Sequence, residues 1–207
     1  MSRVMRVALT GGIATGKSRC LRRFGELGAR TIDTDALARD AVAPGTPGLA
    51  AVVAQFGQEL LQEDGTLNRG RLGQLVFADA AKRRDLEAIV HPAVFAALDE
   101  WSAGNDSAGL AEPAISVTDI PLLYESGHEG DFDAVVVTQC RPDQQLARLI
   151  DRDGFTPEDA RQRIDLQLPA AEKARRADFV VDTSTTLADT DRGVDSVWTT
   201  LVERRKA

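Results

Sequence analysis

The chain is poor in cysteine, histidine and tyrosine, with two, two and one among its 207 residues. Cys20 and Cys140 lie far apart and have no CxxC spacing. That excludes a disulfide framework and a cysteine-built zinc site, and two reduced thiols are expected. No hydrophobic run approaches the ~20 residues of a membrane span. The opening MSRVMRVALT has no long apolar core followed by a small-residue cleavage site, so no secretory signal is expected. These absences point to a cytoplasmic protein with no membrane partner. Basic residues are the minority, 25 against 32 acidic, for a net charge of −7. A nucleic-acid partner is therefore disfavoured, because its backbone calls for a basic surface. A phosphate ligand must instead be held by local groups.

What is present is apolar enough, at 43%, to build a core, and the length suits one domain with a small insertion. The pattern predicts strands over 3–9, 29–33, 114–120, 132–138 and 177–182. Helices are expected from the glycine loop to about Gly28, through 36–42, at Leu49–Phe56, after Pro142, from Thr156 and over Val194–Leu201. The segment 69–101 looks helical with a break near His91-Pro92, and 102–113 reads as a surface loop. Strands alternating with helices predict an α/β fold with a mainly parallel sheet flanked by helices. The strandless stretch 49–101 reads as a helical insertion.

Gly11-x4-Gly16-Lys17-Ser18, in the string GGIATGKS, follows an apolar strand and opens an amphipathic helix. That is the P-loop pattern in its proper context. The glycines let several N–H groups turn toward phosphate oxygens, and the helix N-terminus adds its positive end. A nucleoside triphosphate would lie on Gly12, Ile13, Ala14, Thr15, Gly16, Lys17, Ser18 and Arg19. Lys17 would bridge the β- and γ-phosphates, and the Ser18 hydroxyl would face Mg²⁺. The base-reading Asn-Lys-x-Asp of a GTPase switch is absent, which favours a kinase over a hydrolytic switch.

Asp33 and Asp35 follow the second strand, where ligands of open α/β sheets bind. They could orient an acceptor hydroxyl and take its proton; one of them could equally cap the next helix. Asp119, at the end of the third strand, suits either a Mg²⁺ neighbour or another cap. Arg148, Arg152, Arg161 and Arg163 bracket DGFTPED. They read as a lid over phosphates or as a solvated face paired with interleaved acids. His91 and His128 are the only histidines, and a lone histidine is more often structural.

The ordered strings LTGGIATGKS, IDTDALARDAVAPG, LNRGRLGQLVF, IVHPAV, DIPLLYESG and DRDGFTPEDARQRIDLQ span nearly the whole chain. In that combination the sequence resembles the dephospho-coenzyme A kinase family, which performs the last step of coenzyme A biosynthesis. The resemblance implies a P-loop fold and transfer of the ATP γ-phosphate, with Mg²⁺, to the ribose 3′-hydroxyl of dephospho-CoA. Asp35 would be the base. Asp33, Arg39, His91, Pro92 and Leu122, the last within the 120–123 segment, would line the acceptor site. Arg148 and Arg152 would belong to a lid at about 148–165. The core would comprise about 1–48 and 112–207, with an acceptor-binding helical part at about 49–111. A monomer or weak homo-oligomer is expected. Ala14-Thr15 stands where the family usually has Gly-Ser, and Thr183 where it usually has Asn. Another small-molecule P-loop kinase, acting on a nucleotide or a sugar acid, is the alternative.

Overall fold

The structure, a computed structural model, describes residues 4–77, 79–107 and 114–206. These divide into two compact units, one formed by residues 4–33 and 114–206 and the other by 34–77 and 79–107.

In the first unit five strands form one all-parallel sheet: β1 (Met5–Gly11), β2 (Arg30–Asp33), β3 (Ile115–Asp119), β4 (Ala134–Gln139) and β5 (Phe179–Asp182). Their order is β2-β3-β1-β4-β5. The first predicted strand residue, Arg3, lies outside the described residues; otherwise each strand forms within two residues of expectation. The helices of this unit are α1 (Lys17–Glu26), α6 (Leu123–Ser126), α7 (Pro142–Asp153), α8 (Pro157–Asp165), α9 (Ala170–Arg176) and α10 (Leu187–Lys206). Strand β1 lies between β3 and β4, so successive crossovers diverge there, and the crevice beyond its carboxyl end is the expected ligand position.

β3 is buried along its whole length and β1 and β4 along most of theirs, because both sheet faces are covered. Alternation sorts the side chains. Val7, Leu9, Val117 and Val136 pack with Cys20 and Phe24 of α1 and Val194 and Leu201 of α10. Ala8, Val135 and Val137 point the other way, onto Leu123 and Tyr124. The result is three layers, helix on sheet on helix.

The second unit holds α2 (Thr34–Asp40), α3 (Pro47–Phe56), α4 (Arg69–Phe77) and α5 (Ala80–Ser107) around Val42, Leu49, Val52, Leu60, Leu67 and Leu72. Thr46 caps α3 by accepting a hydrogen bond from Leu49 N (3.1 Å), with Pro47 in the first turn. Two expectations are corrected here. The helix does not break at His91-Pro92: α5 runs unbroken from Ala80 through both residues. Proline removes one backbone hydrogen bond and crowds the preceding turn. However, Leu86, Ile89 and Val90 before it and Val94 after it are all wholly or partly buried, and their packing keeps the helix going. The predicted loop at 102–113 is helical as far as Ser107, and residues 108–113 lie outside the described residues. Among the described residues no helix is long and apolar enough to cross a membrane.

Candidate active site

The GGIATGKS loop joins β1 to α1, with Lys17 as the first helical residue. Three residues of the loop have positive φ: Gly11 (φ 157°) and Gly16 (φ 90°), where glycine adopts it freely, and Ala14 (φ 60°), where it is not free. An alanine there is strained by roughly 1–2 kcal/mol, so the surroundings must hold it. They do so through hydroxyls and amides. Buried Thr15 donates its hydroxyl proton to Gly12 O (2.7 Å). That leaves Thr138, at the end of β4, to donate to Thr15 Oγ1 (2.7 Å). Thr183, just past β5, donates to Thr15 O (2.8 Å). Ile13 is held on both sides: its N–H donates to Gln167 Oε1 (2.7 Å), and its carbonyl accepts from Gln145 Nε2 (2.8 Å).

Two acids and one lysine of the first unit stand at the carboxyl ends of the strands and the start of α1. Asp33 and Asp119 are register partners on neighbouring β2 and β3, and Asp119 is also level with Leu9 of β1. Lys17 Nζ stands 4.0 Å from Asp119 Oδ1, with both side chains largely covered. Asp35 follows in the first turn of α2 and is exposed. Ser18 is exposed on the first turn of α1. The side chain of Arg19 turns to α10, where its guanidinium pairs with Asp191 through Nε (3.0 Å) and Nη2.

The two arginines expected in a lid are both engaged. Arg148, on α7, donates to Thr183 O (2.6 Å) and Thr183 Oγ1 (3.2 Å). Thr183, the departure noted in the sequence, therefore links the loop backbone to this arginine. Arg152 makes a two-bond pair with its neighbour Asp153 and holds that carboxyl below the usual range. Gly154 (φ 68°) ends α7, and Thr156 caps α8 by accepting from Asp159 N (3.2 Å), as its sequence suggests. In the second unit Arg39 lies in the last turn of α2, while His91 and Pro92 are exposed on α5. His91 stacks edge-on against Phe95 at 5.8 Å. Leu122, between β3 and α6, is 44% exposed.

A family profile described as dephospho-CoA kinase matches residues 5–189, which carry every one of these side chains except Asp191. The chain belongs to the dephospho-CoA kinase family. A dephospho-CoA kinase of Cutibacterium acnes is 48% identical over 198 residues, covering 94% of this chain and 84% of its own. One from Streptomyces avermitilis is 45% identical over 201 residues, covering 97% and 96%. The solved structure of a dephospho-CoA kinase from Campylobacter jejuni superposes with a TM-score of 0.69 at 26% identity, over 98% of each chain.

Several site-building residues gave no signal in this family member's sequence. Thr138 is one apolar-strand threonine among others, and Gln145 lies on a helix that spacing marks only by Leu146, Leu149 and Ile150. A fully buried lysine, Lys173, donates to Pro121 O (2.9 Å) and pairs with Glu125 at 2.8 Å. Burial lowers its pKa, and the charge of Lys17 adds to that shift, against the pull of Glu125. Gln167 and Glu125 do fall inside the quoted motifs RIDLQ and DIPLLYE, which was the available clue.

Cys20, two residues past Ser18, is fully buried. Burial first, then Asp191 and Asp119, push its thiol up to about 12. The thiolate is the reactive form, so Cys20 is expected to resist alkylation at pH 8 until the protein is unfolded; rapid labelling of the native protein would contradict this. An unfolded thiol ionises near 9, whereas the folded one keeps its proton to about 12. The unfolded state thus binds fewer protons across that window, and this contribution to stability is lost as pH rises through it.

Proposed function

We propose that the chain transfers the γ-phosphoryl group of ATP to the ribose 3′-hydroxyl of dephospho-CoA, releasing ADP and coenzyme A. One observation carries the reading: the family match runs from β1 through the whole loop, the strand-end acids and the arginine-bearing α7–α8 segment. The reading extends to a cytoplasmic enzyme, monomeric or weakly associated.

Phosphoryl transfer needs little covalent help and much positioning and charge. The inward-facing N–H groups of the loop and the amino end of α1 would bind the β-phosphate. Lys17 would follow the charge that moves from the γ-phosphoryl group to the leaving oxygen. Arg148 and Arg152 would add planar donors to the phosphates once their present partners release them. Asp35 would align the ribose hydroxyl and accept its proton, with Asp33 helping to position the acceptor. Arg39, His91, Pro92 and Leu122 would contact dephospho-CoA.

The residues present fit Mg²⁺. The Ser18 hydroxyl and the Asp119 carboxylate are hard oxygen donors, and no cluster of three or more His, Cys, Asp or Glu forms a closed metal cage among the described residues. Mg²⁺ keeps waters and shares substrate phosphates, so a sparse oxygen set suits it. When bound, the ion would neutralise charge on the β- and γ-phosphate oxygens.

The test is an assay of the purified chain with ATP and Mg²⁺ against dephospho-CoA, nucleoside monophosphates and sugar acids, following ADP and product mass. Phosphorylation of dephospho-CoA at the 3′-position is expected, with little turnover of the others. Preference for another acceptor would assign a different kinase. Rapid ADP release without any acceptor would make the chain a hydrolase.

A further inference from the structure

The P-loop is gripped from outside by two glutamines that its own motif does not contain. The peptide units on either side of Ile13 are each bonded: Ile13 N–H to Gln167 Oε1 (2.7 Å) and Ile13 O to Gln145 Nε2 (2.8 Å). Gln145 is buried, and its amide lies so close to Gly12 that a Cβ there would stand 2.7 Å from Nε2. The strained residue of the loop, Ala14, comes immediately after Ile13. Strained backbone persists only where the surroundings over-determine it.

Gln167 is itself anchored. Its backbone N–H donates to Ile164 O (3.1 Å), and the next residue, Leu168, donates its N–H to Glu125 Oε1 (2.9 Å). Glu125 takes a second bond from Lys173 Nζ, whose other acceptor is Pro121 O. A buried ammonium that is paired and hydrogen-bonded is held in one place, because any displacement leaves an uncompensated charge. The turn carrying Gln167 is therefore tied through Glu125 to the segment that follows β3.

We infer that Gln145 and Gln167 are positioning residues for the nucleotide: they hold the outer arm of the loop at Ile13 so that its inner N–H groups stay aimed at phosphate. Neither glutamine needs to touch ATP. This rests on the reading that residues 11–18 hold the nucleotide phosphates. Losing one clamp lets Ala14 relax toward ordinary backbone and turns N–H groups away from the phosphate. The cost falls on ATP binding and not on dephospho-CoA.

Gln167→Met keeps the length of the side chain and removes the acceptor; Gln145→Met removes the donor. Each is expected to raise KM for ATP and the calorimetric Kd for ADP about three- to tenfold, the worth of one hydrogen bond. KM for dephospho-CoA should change less than about twofold. A general loss of stability would move both KM values or neither, so the split separates positioning from mere support. Unchanged KM for ATP in either folded variant overturns the proposal, as does a parallel rise in both KM values. Gln167 is only partly buried, so its variant provides the test if Gln145→Met does not fold. Near-normal kcat in a folded Lys17→Ala variant would instead count against the underlying assignment of the loop. Unaltered ATP kinetics in the glutamine variants, beside an impaired Lys17→Ala, would count against this inference alone.

Discussion

Lys17→Ala is expected to lower kcat by about 10²–10³-fold, the usual worth of a preorganised group that stabilises transition-state charge. The side chain is 14% exposed, and its Nζ lies 4.0 Å from Asp119 Oδ1. Its charge gains most as negative charge shifts onto the leaving oxygen, so turnover should fall more than ATP affinity. Two opposing effects keep the fold intact. Asp119 loses a nearby cation, which destabilises, while buried Lys173 loses a like-charged neighbour, which stabilises. A shift in Tm of no more than about 4 °C is therefore expected, equivalent to about 1 kcal/mol. Steady-state kinetics alongside thermal denaturation check both statements. A folded variant with near-normal kcat would remove Lys17 from the phosphate site.

Asp35→Asn should cost about 10²–10⁴-fold in kcat, the range for loss of a general base, with little change in ATP affinity. The substitution keeps the shape and removes the basic oxygen. Asp35 is exposed in the first turn of α2, so the exchange disturbs no packing. The transition state for phosphoryl transfer is loose and the proton can leave late, yet the hydroxyl must still be held in line. Asp33→Asn should cause a smaller loss, felt in Mg²⁺ dependence or acceptor KM, because Asp33 closes β2 level with Asp119. Activity retained in Asp35→Asn but abolished in Asp33→Asn would reverse the two assignments. Normal turnover in both would move the base elsewhere.

The phosphate loop, the α1 start and the α8 cap were legible because each depends on residues within one short window, eight residues at most. Thr156, Pro157 and Asp159 form their cap from local geometry alone. The α/β alternation was legible for the same reason: periodicity is a property of a short window. At Pro92 that reasoning failed. A local rule predicts a break, but packing of Leu86, Ile89 and Val90 in the second unit's core, with burial of Val94, outweighs one lost backbone bond.

Strand order was beyond any local pattern. That β1 sits between β3 and β4 follows from how crossovers pack, and it is this order that sets Asp33 and Asp119 side by side. The lid arginines illustrate the same limit. Charge alone left a phosphate role and a solvated face both open, and the fold adds a partner, Thr183, that lies 35 residues from Arg148. The clamp on Ile13 reaches furthest, with Gln145 and Gln167 lying 132 and 154 residues away. Chemistry within a few residues is written in the motif because the backbone brings those atoms together unaided. Contacts across a hundred residues form only when the sheet and its helices bury a common core, and there the packing chooses which polar groups meet.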